Sequence, residues 1–131
     1  MSVYPYKIAI KKVYISGPMS NKVDFNKPAF NKAARQLRSE GFEVVNPAET
    51  DGGSTHKPWS YYMKKDIEFL PPCDLLMLLP GWEDSLGAAT EIFIATILQI
   101  PIFLYENREE LQETFFTSVK RLAQLGEKHE T

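Results

Sequence analysis

The chain has 131 residues, a length that predicts one domain spanning residues 1–131 rather than two. Its 44% hydrophobic and 24% charged residues are typical of a folded globular protein and exclude disorder. Fifteen Lys and Arg against seventeen Asp and Glu give a net charge of −2, so a protein that binds nucleic-acid polymers through their phosphates is not expected.

Location and metal content can also be predicted from composition. The N-terminus lacks the apolar stretch of a signal peptide, and the most apolar region, residues 92–105, is too short to span a bilayer. We therefore expect a cytoplasmic protein that does not associate with membranes. The single cysteine, Cys73, lacks the Cys and His partners of a zinc site, so no metal site is predicted.

Apolar periodicity, bounded by Gly, Pro and Asn, predicts four strands alternating with four helices. The strands are expected at residues 13–16 (with a start as early as residue 8), 42–45, 73–79 and 101–105. The helices are expected from Pro28, after a cap at Asn26, up to Gly41, and at residues 59–70, 86–99 and 108–124. The last helix is expected to turn four residues inward, namely Leu111, Phe115, Val119 and Leu122.

This alternation of strands and helices indicates a sheet whose strands are mostly parallel. We expect a three-layer α/β sandwich of the flavodoxin or Rossmann type, with four to five strands. Ligands bind such folds beyond the carboxyl ends of the strands. The loops at residues 16–26, 46–58 and 80–86 are therefore the candidate binding loops.

Two carboxylates stand in apolar surroundings. Glu91 is the only charged residue between Asp84 and Glu106, on a helix that is apolar nearly all round. Asp66 falls within the apolar stripe of the helix at residues 59–70. Glu91 could instead pair with a Lys or Arg or reach solvent, and Asp66 could simply bond a neighbouring loop. Two inward carboxylates beside one crevice suit acid/base or covalent glycosyl chemistry.

Three motifs make the chain similar to the nucleoside 2-deoxyribosyltransferase-like superfamily, which includes the 2′-deoxynucleoside 5′-phosphate N-hydrolases, over roughly residues 13–105. They are Tyr14-Ile15-Ser16-Gly17-Pro18, then Asp66-Ile67-Glu68-Phe69-Leu70 with Cys73-Asp74, and Ser85-Leu86-Gly87-Ala88-Ala89-Thr90-Glu91. A small uncharacterised bacterial and phage branch also resembles the chain at Asn46-Pro47-Ala48-Glu49 and at Gly81-Trp82-Glu83-Asp84-Ser85.

The resemblance implies roles for particular residues. Glu91 matches the nucleophile, Asp66 the acid/base near the nucleobase, and Tyr14 the tyrosine that orients the nucleophile. The substrate-binding positions it implies are Ser16, Gly17, Pro18, Met19, Asn46, Asp84, Ser85 and Gly87. Ser85 stands where the transferases have an aspartate, which favours the nucleotide-hydrolase pattern. No metal or organic cofactor is implied.

The expected function is cleavage or transfer of the N-glycosidic bond of a nucleoside or nucleoside 5′-monophosphate through a glycosyl ester on Glu91. Water as the acceptor makes a hydrolase, and a second base makes a transferase. The alternative is a non-catalytic nucleotide-sensing module on the same fold. We also expect a homodimer or higher homo-oligomer around the apolar helix at residues 86–99, unless the C-terminal helix covers that helix instead.

Overall fold

The computed structural model describes residues 10–20, 22–53 and 55–128. Its centre is a four-stranded sheet with the strand order β2-β1-β3-β4, and every pair of neighbouring strands is parallel. The strands are β1 (Lys12–Ser16), β2 (Glu43–Val45), β3 (Leu75–Leu78) and β4 (Ile102–Leu104). The predicted parallel α/β fold is confirmed, while a start of β1 at residues 8 or 9 lies outside the described residues.

Four helices connect or follow these strands. They are α1 (Lys27–Ser39), α2 (Trp59–Phe69), α3 (Leu86–Ile97) and α4 (Phe115–Lys128). The loop predicted at residues 46–58 contains a 3-10 segment, Pro47–Gly53. Asn26 occupies the cap position of α1, but its side chain donates to the Pro18 carbonyl at 2.9 Å and so fixes the loop after β1. No helix in the described part of the chain is long and apolar enough to cross a membrane.

The start of the last helix was predicted wrongly, and two of the four residues expected to face inward, Phe115 and Val119, are exposed, whereas Leu111 packs against the core. Residues 109–111 pair with the edge strand β4 instead, where Leu104 N–H donates to the Glu109 carbonyl and Leu111 N–H donates to the Ile102 carbonyl. These backbone groups pair with the strand, so α4 begins only at Phe115. Its buried face then passes through Ser118, which leaves Phe115 62% and Val119 40% exposed.

Successive side chains of each strand point to opposite faces of the sheet, so the protein has two separate hydrophobic cores. Val13 and Ile15 of β1 face α1, whereas Tyr14 points to the opposite face, where it packs with Ile92 of α3. α4 packs outside α3. The result is the expected three-layer sandwich, with both faces of the sheet covered.

The strand order creates a crevice beyond the carboxyl ends of the two central strands, β1 and β3. The chain leaves β1 toward β2 on one side, and β3 then pairs on the other side of β1. At such a switch point the loops beyond the carboxyl ends diverge and leave room for a ligand. Gly17 follows β1 here, and a Cβ atom at this position would lie 3.0 Å from Leu79 Cβ. The glycine therefore lets the two strand ends lie side by side.

Candidate active site

A cavity of about 500 Å³ opens at this crevice. Its walls come from the loop after β1, the 3-10 segment after β2 and the first turns of α2 and α3. Nine of the sequence-predicted site residues line it, namely Ser16, Gly17, Pro18, Met19, Asp66, Asp84, Ser85, Gly87 and Glu91. Tyr14 is fully buried beneath the cavity, where its hydroxyl contacts Glu91.

Glu91 is held by two hydroxyl groups. The Tyr14 hydroxyl donates to Oε2 at 2.5 Å, and the Ser16 hydroxyl donates to Oε1 at 2.5 Å. Residues two apart on a strand share a face, so β1 presents both hydroxyls to one carboxylate. Such short O–H···O contacts are typical of bonds to an ionised acceptor.

The alternative reading of Glu91 as an ion-paired or solvent-reaching residue is wrong. Its side chain is only 4% exposed, and no Lys or Arg in the described ranges forms an ion pair with it. The N-terminal cap of α3 sets where Glu91 lies along that helix. Ser85 accepts a hydrogen bond from the Ala88 N–H at 3.1 Å and starts the helix six residues before Glu91.

Asp66 is the second buried carboxylate of the cavity. It lies on the inward face of α2 with 8% exposure, as its place in the apolar stripe predicted. The Tyr14 hydroxyl opposes the rise in the pKa of Asp66 on burial by favouring the ionised carboxylate. Tyr14 therefore donates a hydrogen bond to Glu91 and interacts electrostatically with both carboxylates.

Burial dominates the electrostatics of this pair. Loss of hydration raises the pKa of Glu91 well above its usual range, and the charge of Asp66 raises it further, while the Ser16 and Tyr14 hydroxyls oppose the shift. Burial also raises the pKa of Asp66, against the hydrogen bond from Tyr14. Because two charges are unfavourable in this volume, the pair retains a proton close to neutral pH.

Asn46 does not line the cavity. It is buried, its amide donates to Asn31 Oδ1 at 2.9 Å, and its own oxygen accepts from the Ala48 N–H at 3.0 Å. Both bonds fix the turn after β2. An Asn-Pro pair at a strand end is compatible with either a binding or a turn role, and the sequence does not separate them.

Sequence reasoning missed several lining residues. Three are cations, Lys22, Lys27 and Lys57, and three others, Phe25, Tyr62 and Met63, form an apolar and aromatic wall together with Trp59. Both Lys22 and Lys57 belong to the predicted binding loops, so loop position was the available signal. Across the described ranges no three His, Cys, Asp or Glu side chains cluster as a metal site would require.

Comparisons with known proteins extend this description. The model of a family described as a domain of unknown function, DUF4406, matches residues 11–104. No curated protein matches the chain in sequence. A solved structure of a 2-deoxyribosyltransferase from the psychrotolerant bacterium Bacillus psychrosaccharolyticus is similar, with a TM-score of 0.56 and 24% identity over 71% of this chain and 70% of that chain. This similarity shows a shared fold.

Proposed function

Because the chain belongs to the DUF4406 family, whose function is unknown, we propose its activity from the geometry of its own site. The protein cleaves or transfers the N-glycosidic bond of a nucleoside or nucleoside 5′-monophosphate. The observation that carries this proposal is the buried pair Glu91 and Asp66, joined by Tyr14 at the cavity. The fold shared with a 2-deoxyribosyltransferase supports it.

Glu91 is the nucleophile in this mechanism. Two hydroxyl donors stabilise its ionised form, and no cation within the described ranges forms an ion pair that would neutralise it. One carboxylate oxygen attacks C1′ of the sugar, a C–O bond forms, and the bond from C1′ to the base nitrogen breaks. The sugar then remains as a glycosyl ester on Glu91.

Asp66 is the general acid. Burial raises the pKa of its carboxyl group to about 7, and in the protonated form it donates its proton to the departing base nitrogen. In the second step it accepts a proton from water or from a second base, which attacks C1′ and releases Glu91. The pair is then restored to its starting charge.

The rest of the cavity suits the remaining parts of such a substrate. Trp59, Tyr62 and Met63 offer an apolar and aromatic wall for a nucleobase. Lys22, Lys27 and Lys57 supply positive charge for a phosphate. These features support nucleosides and nucleotides as the ligand class.

A screen for free base tests the proposal. The protein is incubated separately with ribonucleosides, 2′-deoxynucleosides and their 5′-monophosphates, with and without a second free base, and the products are separated by HPLC. Release of free base supports a hydrolase, and base exchange supports a transferase. Tight calorimetric binding without release from any substrate would contradict the proposal and indicate a nucleotide-sensing module.

Ser16 is expected to stabilise the charge of the nucleophile rather than to bind substrate. Removing its hydroxyl in Ser16→Ala raises the pKa of Glu91, since one of its two donors is lost. The acid limb of the pH–rate profile should therefore move to higher pH, and the rate on that limb should fall about 10-fold or more. Ser16→Thr keeps a hydroxyl and should restore the limb.

Ser20→Ala provides the matched control, because Ser20 lines the same cavity and has no hydrogen bond to Glu91 among those formed by the described residues. Its acid limb should stay at the wild-type position. An unchanged acid limb in Ser16→Ala would contradict the role of this hydroxyl.

We also propose self-association through the end of α3 and the start of α4. α4 does cover part of α3, as the alternative required, but it leaves apolar side chains of its own exposed. The exposed set comprises Ile97, Leu98, Phe115, Phe116 and Val119. The ring centroids of Phe93 on α3 and Phe115 on α4 lie 5.6 Å apart, so these helix ends adjoin, and an exposed apolar patch is typical of protein interfaces.

Sedimentation equilibrium should give a mass of about twice the 15.0 kDa of one chain at micromolar concentration. Phe116→Ser should shift the equilibrium toward the monomer because Phe116 is 74% exposed on α4. Val23→Ser is the control, since Val23 is equally apolar, 94% exposed and lies before α1. A mass of 15.0 kDa for the wild type at all concentrations would rule out the dimer.

A further inference from the structure

A second concavity, of about 560 Å³, lies beside the candidate active site. It is bounded by α1 and the 3-10 segment Pro47–Gly53, and we call it the α1 groove. Its polar lining comprises Lys27, Asn31, Arg35, Arg38, Asn46 and Glu49. Lys27 and Ala48 line both this groove and the active-site cavity, so the two spaces adjoin.

The groove carries a net positive charge. Its single acid, Glu49, pairs with Arg38 at 2.8 Å, and the same Arg38 guanidinium donates to the Val44 carbonyl at 3.1 Å. Arg35 is exposed and forms no ion pair with any residue in the described ranges. Lys27 donates to the Gly53 carbonyl, which uses one of its three N–H groups. Lys27 and Arg35 are therefore the charges that a ligand can use.

The available donors form a row that leads away from the reacting carboxylates. Positions 27, 31 and 35 lie on one face of α1, with roughly 12 Å along the helix axis between the first and the last. Asn31 accepts from Asn46 through its oxygen, so its own amide hydrogens remain to donate. The active-site cavity, which adjoins this groove at Lys27, is itself lined by Lys22 and Lys57.

We propose that the α1 groove binds a chain of phosphates, so that the site takes a nucleoside 5′-triphosphate in preference to a monophosphate. The proposal rests on the function proposed above and names its substrate class. One phosphate needs only the cations of the active-site cavity, whereas the second and third extend past Lys27 toward Arg35. A guanidinium suits this end because its planar fork binds two phosphate oxygens at once.

Calorimetric titration with inorganic phosphate and with inorganic tripolyphosphate, at one low ionic strength, tests the groove without any turnover. The wild-type protein should bind tripolyphosphate more tightly than phosphate. Arg35→Ala should weaken tripolyphosphate binding about 10-fold or more, since a charge-assisted contact is lost. Arg35 is exposed, so this variant should fold, and its melting temperature verifies that it does.

Lys120→Ala is the matched control because it removes one exposed positive charge from α4, which packs outside α3 on the other side of the sheet. Its affinity for tripolyphosphate should equal that of the wild type. Equal weakening in both variants, or equal wild-type affinity for the two anions, would overturn the proposal.

Substrate competition separates this proposal from the function on which it rests. With substrates that are cleaved, Arg35→Ala should lower the ratio of kcat/KM for the triphosphate to that for the monophosphate. If no base is released but tripolyphosphate binding depends on Arg35, the glycosidic function fails and the groove stands. If base is released and the ratio does not change, the groove fails and the function stands.

Discussion

Glu91→Gln should abolish release of free base, with a rate loss of about 10⁴-fold or more, because an amide does not form the glycosyl ester. HPLC of the released base measures this loss. Mass spectrometry of the wild type with a 2′-fluoro substrate analogue should detect one sugar adduct on Glu91, and the variant should carry none. Equal turnover in variant and wild type would remove Glu91 as the nucleophile.

The same variant should be more stable than the wild type, which separates loss of chemistry from loss of fold. Burial raises the folded-state pKa of Glu91 above its unfolded value, so its contribution to stability falls as pH rises through the folded pKa. Glutamine carries no such penalty. The free energy of unfolding should rise by roughly 1–4 kcal/mol at alkaline pH, and the gain should vanish toward pH ~4.

Glu68→Gln is the matched control for both measurements. Glu68 is an exposed carboxylate on α2, two residues from Asp66, and it does not line the cavity. Its substitution should leave turnover at the wild-type value and should produce no gain in stability at alkaline pH. A similar stability gain in this control would assign the effect to net charge instead of burial.

Asp66→Asn should slow cleavage of natural nucleosides by about 10²–10⁴-fold, the usual value of general-acid assistance. A substrate with an activated leaving group, such as a p-nitrophenyl glycoside, should lose much less because its leaving group needs no proton. The difference in rate loss between the two substrates measures how much Asp66 contributes as the general acid. A uniform loss across leaving groups would mean that Asp66 only positions the substrate.

The pH–rate profile gives an independent test of the same residue. The pH–rate profile of the wild type should be bell-shaped, since activity needs an ionised Glu91 and a protonated Asp66. Asp66→Asn should lose the alkaline limb, because no acid remains to be deprotonated. Its acid limb should remain, because Glu91 must still be ionised to act as the nucleophile.

Sequence alone determined the architecture and the two carboxylates. Side chains on one face recur every two residues in a strand and every three to four residues in a helix. The residues of one segment are therefore enough to recognise the element. The same local patterns marked Glu91 as a lone charge on an apolar helix and Asp66 as an inward residue. Both are buried in the structure, with 4% and 8% exposure.

Prediction from the local sequence pattern was wrong where backbone groups form hydrogen bonds with a different segment of the chain. The apolar spacing from residue 108 onward resembles a helix, yet residues 109 and 111 bond the edge of β4, and α4 starts later. Hydrogen bonds to another element of the fold therefore decided where this helix begins.

Only the tertiary structure decided how Glu91 is held and what surrounds it. Its partners, Tyr14 and Ser16, are 77 and 75 residues away along the chain, so local spacing by itself does not distinguish two hydroxyl partners from the alternative Lys or Arg. The approach of Lys27 and Lys57 to one cavity likewise depends on the strand order. Periodicity determines which face of an element is buried, whereas long-range pairing of the strands determines which side chains meet there.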